Sequence, residues 1–339
     1  MKVQILISFW CCIFAIQGNL FVATGQKTDD VEICADKSNS CAVHAEEVLK
    51  LCKFSFIKEQ CQKTCMLCPE VTTAPPSSLY RGECGKPKFN PGLMLRITGG
   101  TDAKYGAIPW QVGIKQKFND SSLFFRCGGT LISREHIVTA ASCITGAKLP
   151  LLAYLGKHRN VSNLPDHGQL VVEISNITEH PQFDLTTFDN DLALLTMSSP
   201  VDFTDYIRPA CLPKQNEEIT PGKMALASGW GLESPSDSQP SHGVMQQVEL
   251  PIISNMECNI IYLTQTGLAN RITPNMICAG YLNGGKDACV GDGGGPLVVR
   301  HKGSYFLVGV ISWGVGCGER PGVYTKVSKK VDWINAIIE

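Results

Sequence analysis

Three short stretches carry polar groups beside glycines or apolar runs. DACVGDGGGPLVV, residues 287–299, sets Asp287, Cys289 and Asp292 in a glycine-rich turn that leads into an apolar strand. A glycine-rich turn can offer backbone N–H groups to a developing oxyanion without any side chain. VTAASC carries Ser142, and DNDLALL carries Asp191 just before an apolar run. With a nucleophile and a base these groups would suit acyl transfer. Gly293 has no side chain, and the hydroxyl of Ser142 does not accept protons near neutral pH.

The elements that must position these groups belong to a chain of 339 residues with 44% hydrophobic content and a formal net charge of −1. That is enough for about two domains, and it excludes a strongly basic nucleic-acid or membrane-surface binder. Lys2 followed by an apolar run from Val3 to Ile16 reads as a signal peptide over residues 1–25, with small residues for cleavage near 18–26. The run is shorter than the ~18–20 apolar residues of a spanning helix. An anchor lengthened by NLFVA is the alternative. Of 16 cysteines, Cys11 and Cys12 would leave with the signal, and an even set in a secreted, extracellular chain favours disulfides over metal. Asn119, Asn160 and Asn176 each begin an N-x-S/T sequon. No cofactor or metal site is expected, and no nucleic-acid partner.

Six cysteines crowd into residues 34–68, a segment too short to bury a core without cross-links. Their spacing leaves the connectivity open, and SCAVHAEEVLKLC within it has helical spacing. Residues 69–83, rich in Pro, Ser and Thr, read as an extended linker. From residue 97 the chain alternates β-rich runs and turns: WQVGI, TLISREHIVTA, QLVVEI, LALLTM, KMALASGW, PLVV and FLVGVISWG. Only VDWINAIIE at the end has helical spacing. An all-β barrel or sandwich with a terminal helix follows.

Two resemblances sharpen this. The cysteine segment, with Asp36 and the closing CQKTC..C, resembles an ShKT module. That likeness implies the pairs Cys34–Cys68, Cys41–Cys61 and Cys52–Cys65. The Lys-Tyr pair of channel-blocking members is absent from KFSFIKEQ, so an accessory docking role is expected. The tags RITGG, CGGTLIS, VTAASC, DNDLALL, SGWG, GDGGGPL, ISWGVGC and PGVYTKV, in that order across residues 97–339, resemble the trypsin-like serine proteases of the chymotrypsin family. The fold implied is a double antiparallel β-barrel with the site in the cleft between barrels.

The resemblance assigns roles. Asp191 is the one retained member of the catalytic triad; Ser142 stands in the histidine position and Gly293 in the serine position. Gly291 and Gly293 supply the oxyanion N–H groups. Asp287 is the floor of the S1 pocket, which selects Arg or Lys, with Ser312, Gly314 and Gly322 around it. Residues 84–96 form a propeptide segment. Cleavage between Arg96 and Ile97 by a trypsin-like protease would free an ammonium to pair with Asp292. The pairs Cys84–Cys211, Cys127–Cys143, Cys258–Cys278 and Cys289–Cys317 are implied, the first tethering the N-terminal region after cleavage. Ala225 and Val299 occupy the two ends of a family disulfide that this chain lacks. The function expected is a secreted pseudoprotease that binds a protein or peptide ligand through Arg or Lys, as cofactor or decoy in an extracellular cascade. Its rivals are an active endopeptidase cleaving after Arg or Lys, and a structural protein whose cleft is idle.

Overall fold

The computed structural model describes residues 84–91, 101–119, 122–147, 150–160, 165–232, 243–267, 270–285 and 287–338. These lie in one of the two units into which the chain divides, Ser77–Glu339. The expected signal peptide, the expected module at 34–68 with its three implied pairs, the expected linker and the Arg96–Ile97 bond lie outside the described residues.

Strands β2 (Gln111–Asn119), β3 (Ser122–Leu131), β4 (His136–Thr139), β5 (Leu151–Leu155), β6 (Leu170–Glu179) and β7 (Ala193–Met197) close a barrel in the order β2-β3-β4-β7-β6-β5. Period-two alternation drives it. Val112 and Ile114 of β2 point inward with Leu131, Ile137, Ala153, Leu155, Ala193 and Leu195. Gln111, one residue before Val112, faces out yet is buried, and its Oε1 accepts the Ser228 hydroxyl at 2.6 Å from a second barrel.

That second barrel holds β8 (Met224–Gly229), β9 (Gln246–Ile253), β10 (Met276–Ala279), β11 (Pro296–His301), β12 (Ser304–Trp313) and β13 (Gly322–Lys326). Its order is β9-β10-β13-β12-β11-β8, closed by pairing of β8 with β9, and the short β1 (Thr101–Asp102) adds to the flank of β9. All ladders are antiparallel, so each barrel buries its own apolar set without exposed edges. A third cluster, including Trp110, Val138, Leu192, Leu194, Leu226, Trp230 and Val310, draws on strands of both barrels and fills the seam between them. Ala225 and Val299 are paired across β8 and β11, both buried, and pack as apolar neighbours in the second core.

Four disulfides staple the unit: Cys84–Cys211, Cys127–Cys143, Cys258–Cys278 and Cys289–Cys317. These are the pairs that the protease resemblance implies.

Two expectations are corrected. TLISREHIVTA is not one strand: the Ser133 side chain accepts the N–H groups of Glu135 and His136 at 3.2 and 3.0 Å, and this turn separates β3 from β4. Nor is the C-terminal helix, Val331–Ile338, the only one. A four-residue α1 (Ala141–Ile144) follows β4, and α2 spans Asn255–Thr266, with the C-terminal helix becoming α3. Ser254 caps α2 by accepting the Glu257 N–H at 3.1 Å, and Gly267 ends it at φ 73°. The S-x-x-E start and glycine stop are in the sequence, while the apolar spacing between them is weak.

Candidate functional site

The register of β4 on β7, with Thr139 opposite Ala193, brings the residues after β4 beside those before β7. Ser142, in α1, thereby meets Asp191. Its N–H donates to Asp191 Oδ1 at 2.7 Å and its hydroxyl donates to Oδ2 at 2.8 Å. The second barrel grips the same aspartate: Ser312 Oγ donates to Oδ2 at 2.6 Å, and Thr325 Oγ1 donates to the Asp191 carbonyl at 2.6 Å. Asp191 is fully buried. Burial pushes its carboxyl above the ordinary range, while the Ser142 and Ser312 hydrogen bonds pull the other way. Thr325 carries no signal in a single sequence. Ser312, assigned to the entrance strand of the S1 pocket, uses its hydroxyl on Asp191.

Asp292 and its glycines shape the loop opposite. Its Oδ1 accepts the Gly231 N–H at 2.7 Å and its Oδ2 the Cys289 N–H at 3.0 Å. A Cβ at Gly229 or Gly231 would fall 2.0 or 2.6 Å from this carboxylate, so both must be glycine. Burial raises the Asp292 pKa to about 6 against those two hydrogen bonds. The chain then turns at Gly294, where φ is +79° and a Cβ would lie 2.2 Å from Thr139 Oγ1. Gly293 differs. Its φ is not positive, and a Cβ there would meet only Cys143 Sγ, at 3.6 Å. The backbone at 293 therefore accepts a side chain. The Gly293 carbonyl takes the Gly128 N–H at 2.9 Å, whereas among the described residues the N–H groups of Gly291 and Gly293 donate to nothing.

Asp287 sits at the base of the same loop. Its Oδ1 accepts the Ala288 N–H at 2.8 Å and faces the Tyr324 hydroxyl at 3.4 Å. A Cβ at Gly322 would come within 2.5 Å of Oδ1, and one at Gly314 within 3.9 Å of Oδ2. Three of the four expected S1 residues thus converge, and Cys289–Cys317 ties this loop to the segment after β12. Burial lifts the Asp287 pKa to about 7, opposed by the Ala288 and Tyr324 hydrogen bonds and reinforced by Asp292. A partly exposed carboxylate that costs free energy to ionise is a ready partner for a cation.

No histidine takes the place opposite Asp191 among the described residues. His136 Nδ1 pairs with Ser133 Oγ at 2.9 Å, His158 packs at a tilt against Tyr105, and His167 meets Tyr206 edge-on. His180 accepts the Gln182 N–H at 3.2 Å and packs on Trp333; burial, with Lys330 nearby, lowers its pKa to about 4. Among the described residues no cluster of His, Cys, Asp and Glu could hold a metal ion. Of the sequons, Asn176 is exposed on β6 with its Nδ2 donating to Thr178 Oγ1 at 3.2 Å, while the Asn160 Oδ1 is buried; Asn119 closes β2. A cavity of about 380 Å³ lies elsewhere, lined by Asn90, Met224, Leu226, Arg300 and Tyr305, and none of the site residues reaches it.

With this geometry in view, the comparisons place the chain. The family described as Trypsin matches residues 97–334. The chain is 38% identical over 261 residues to the serine protease filzig of Drosophila melanogaster, covering 75% of this chain and 15% of that protein. It is 36% identical over 262 residues to the serine proteinase stubble of Drosophila melanogaster, covering 76% of this chain and 33% of that protein. The present chain thus spans at most about a third of the length of these two relatives.

Proposed function

The chain belongs to the trypsin family, and from that premise we propose that it is a secreted member whose cleft binds without cutting. One observation carries the reading: the hydroxyl of Ser142 occupies Asp191 where the mechanism needs an imidazole, opposite a loop whose residue 293 has no side chain. Neither proton transfer nor acyl-enzyme formation has a group to perform it. Loss of such residues costs on the order of 10⁶ in turnover. What remains is a carboxylate, Asp287, between two glycines, suited to an Arg or Lys side chain of a protein or peptide ligand. Cleavage after Arg96 by a trypsin-like protease would supply the Ile97 ammonium to Asp292, and a cation there would pull that carboxyl back down from about 6.

The test is a pair of measurements on the purified chain, uncut and cut after Arg96. No hydrolysis of Arg-amide substrates is expected; turnover abolished by Asp191→Ala would overturn the inactive reading in favour of an endopeptidase. Benzamidine is expected to bind, and to lose at least about tenfold in affinity in Asp287→Ala. Equal affinity in both proteins would leave the cleft idle.

A further inference from the structure

The two positions that leave the cleft without its catalytic side chains meet at Cys143. A Cβ at Gly293 points toward Cys143 Sγ and meets nothing else within 4 Å. Ser142, the residue before Cys143, has both its N–H and its hydroxyl drawn onto Asp191. Ser142, Cys143, Gly293 and Ser312 are each partly exposed, so solvent reaches the space they border. Its wall is the sulfur of the Cys127–Cys143 disulfide, a soft apolar surface.

The polar groups around this space have unspent capacity of a definite kind. A hydroxyl carries one donor and two acceptor positions. Ser142 and Ser312 both spend their donor on Asp191, which leaves acceptor lone pairs backed by a buried carboxylate. On the loop that faces Cys143 Sγ, the Gly293 N–H donates to nothing among the described residues. A flat ring with one N–H and one ring-nitrogen lone pair satisfies both sides and lies against the sulfur. An alkylammonium would use the hydroxyl acceptors but not the Gly293 N–H, and a carboxylate would face Asp191 with like charge.

We propose that this space is a ligand subsite for an imidazole ring: the side chain of a histidine next to the Arg or Lys held by Asp287. The inference rests on the binding role of Asp287, which lies on the same loop as Gly293, and it adds a second specificity to that cleft. The bound ring donates its N–H to the Ser142 hydroxyl and accepts from the Gly293 N–H, so the ligand brings the group this chain lacks.

The test uses the full chain, uncut and cut after Arg96, with three probes: imidazole, benzamidine, and tripeptides carrying Arg with either His or Ala on each side. Binding is read by calorimetry and by NMR shifts. Imidazole is expected to bind in the millimolar range, as suits so small a ligand. A His-Arg peptide should bind about tenfold tighter than its Ala counterpart. Ser142→His, which fills the space with the protein's own ring, should abolish both effects. Gly293→Leu, which fills it from the other wall, should do the same if the first variant does not fold. If imidazole does not bind and His gives no preference while benzamidine binds, the subsite is refuted and the Asp287 reading stands. Imidazole binding that survives both variants also refutes it, because the ring then sits elsewhere. If benzamidine fails but imidazole binds and is lost in the variants, the subsite stands and the Asp287 reading falls.

Discussion

Asp287→Asn separates binding from stability at one atom. In the folded protein burial raises the Asp287 carboxyl to about 7 from its ordinary 3.8. A carboxyl raised on folding stabilises the fold fully below the unfolded value, and that contribution is lost as pH rises through the folded one. The difference corresponds to an upper bound of about 4 kcal/mol at about 1.4 kcal/mol per pH unit. Because the side chain is partly exposed, about 1–2 kcal/mol is the working expectation. Asparagine keeps a carbonyl to accept the Ala288 and Tyr324 hydrogen bonds and removes the charge. The variant should therefore be more stable than the parent at pH 8, by about 2–8 °C in midpoint, and equal to it at pH 4. Benzamidine affinity should fall at least about tenfold, and in the parent it should weaken as pH drops below about 7, since the ligand needs the ionised form. Thermal melts from pH 4 to 8, paired with calorimetric titration, read both effects. Asp292 titrates in the same range, so the parent-minus-variant difference is the quantity that isolates Asp287. A variant less stable than the parent at pH 8 would refute the argument, because the carboxylate would then be a satisfied structural group.

Four other variants follow from the geometry. Ser142→Ala removes one of two hydroxyl donors to Asp191 Oδ2, and urea denaturation should show a loss of about 1–2 kcal/mol. Gly293→Ser should fold with a midpoint within about 2 °C of the parent, whereas Gly294→Ser, placed at φ +79° with Thr139 Oγ1 at 2.2 Å, should lose several kcal/mol or fail to fold. Ala225→Cys with Val299→Cys should form a bridge across β8 and β11, raise stability by about 2–4 kcal/mol, and leave no thiol to titrate under oxidising conditions.

The architecture was legible because short alternating strands and widely separated tags constrain one another. WQVGI, LALLTM and FLVGVISWG each fall on a barrel wall, with their apolar residues split between a barrel interior and the seam. Helix α2 was missed because Met256, Ile260 and Leu263 are exposed, which blurs the apolar period, although Ser254, Glu257 and Gly267 mark both ends. The site was legible as a set of positions but not as a set of bonds. Nothing in the spacing says that Ser312 serves Asp191, or that Thr325 holds the aspartate backbone. Those bonds cross from one barrel to the other, and such pairings are fixed by packing.

Gly293 and Gly294 are adjacent and identical in type, yet they answer to different constraints. At 294 the backbone admits one residue; at 293 it admits many. Folding therefore does not dictate glycine at 293, and a mutational walk through small residues there would leave the fold standing. What such a walk would change is the shape offered to a ligand over the Cys127–Cys143 disulfide. Position 293 is a dial for recognition that can be turned without touching the scaffold.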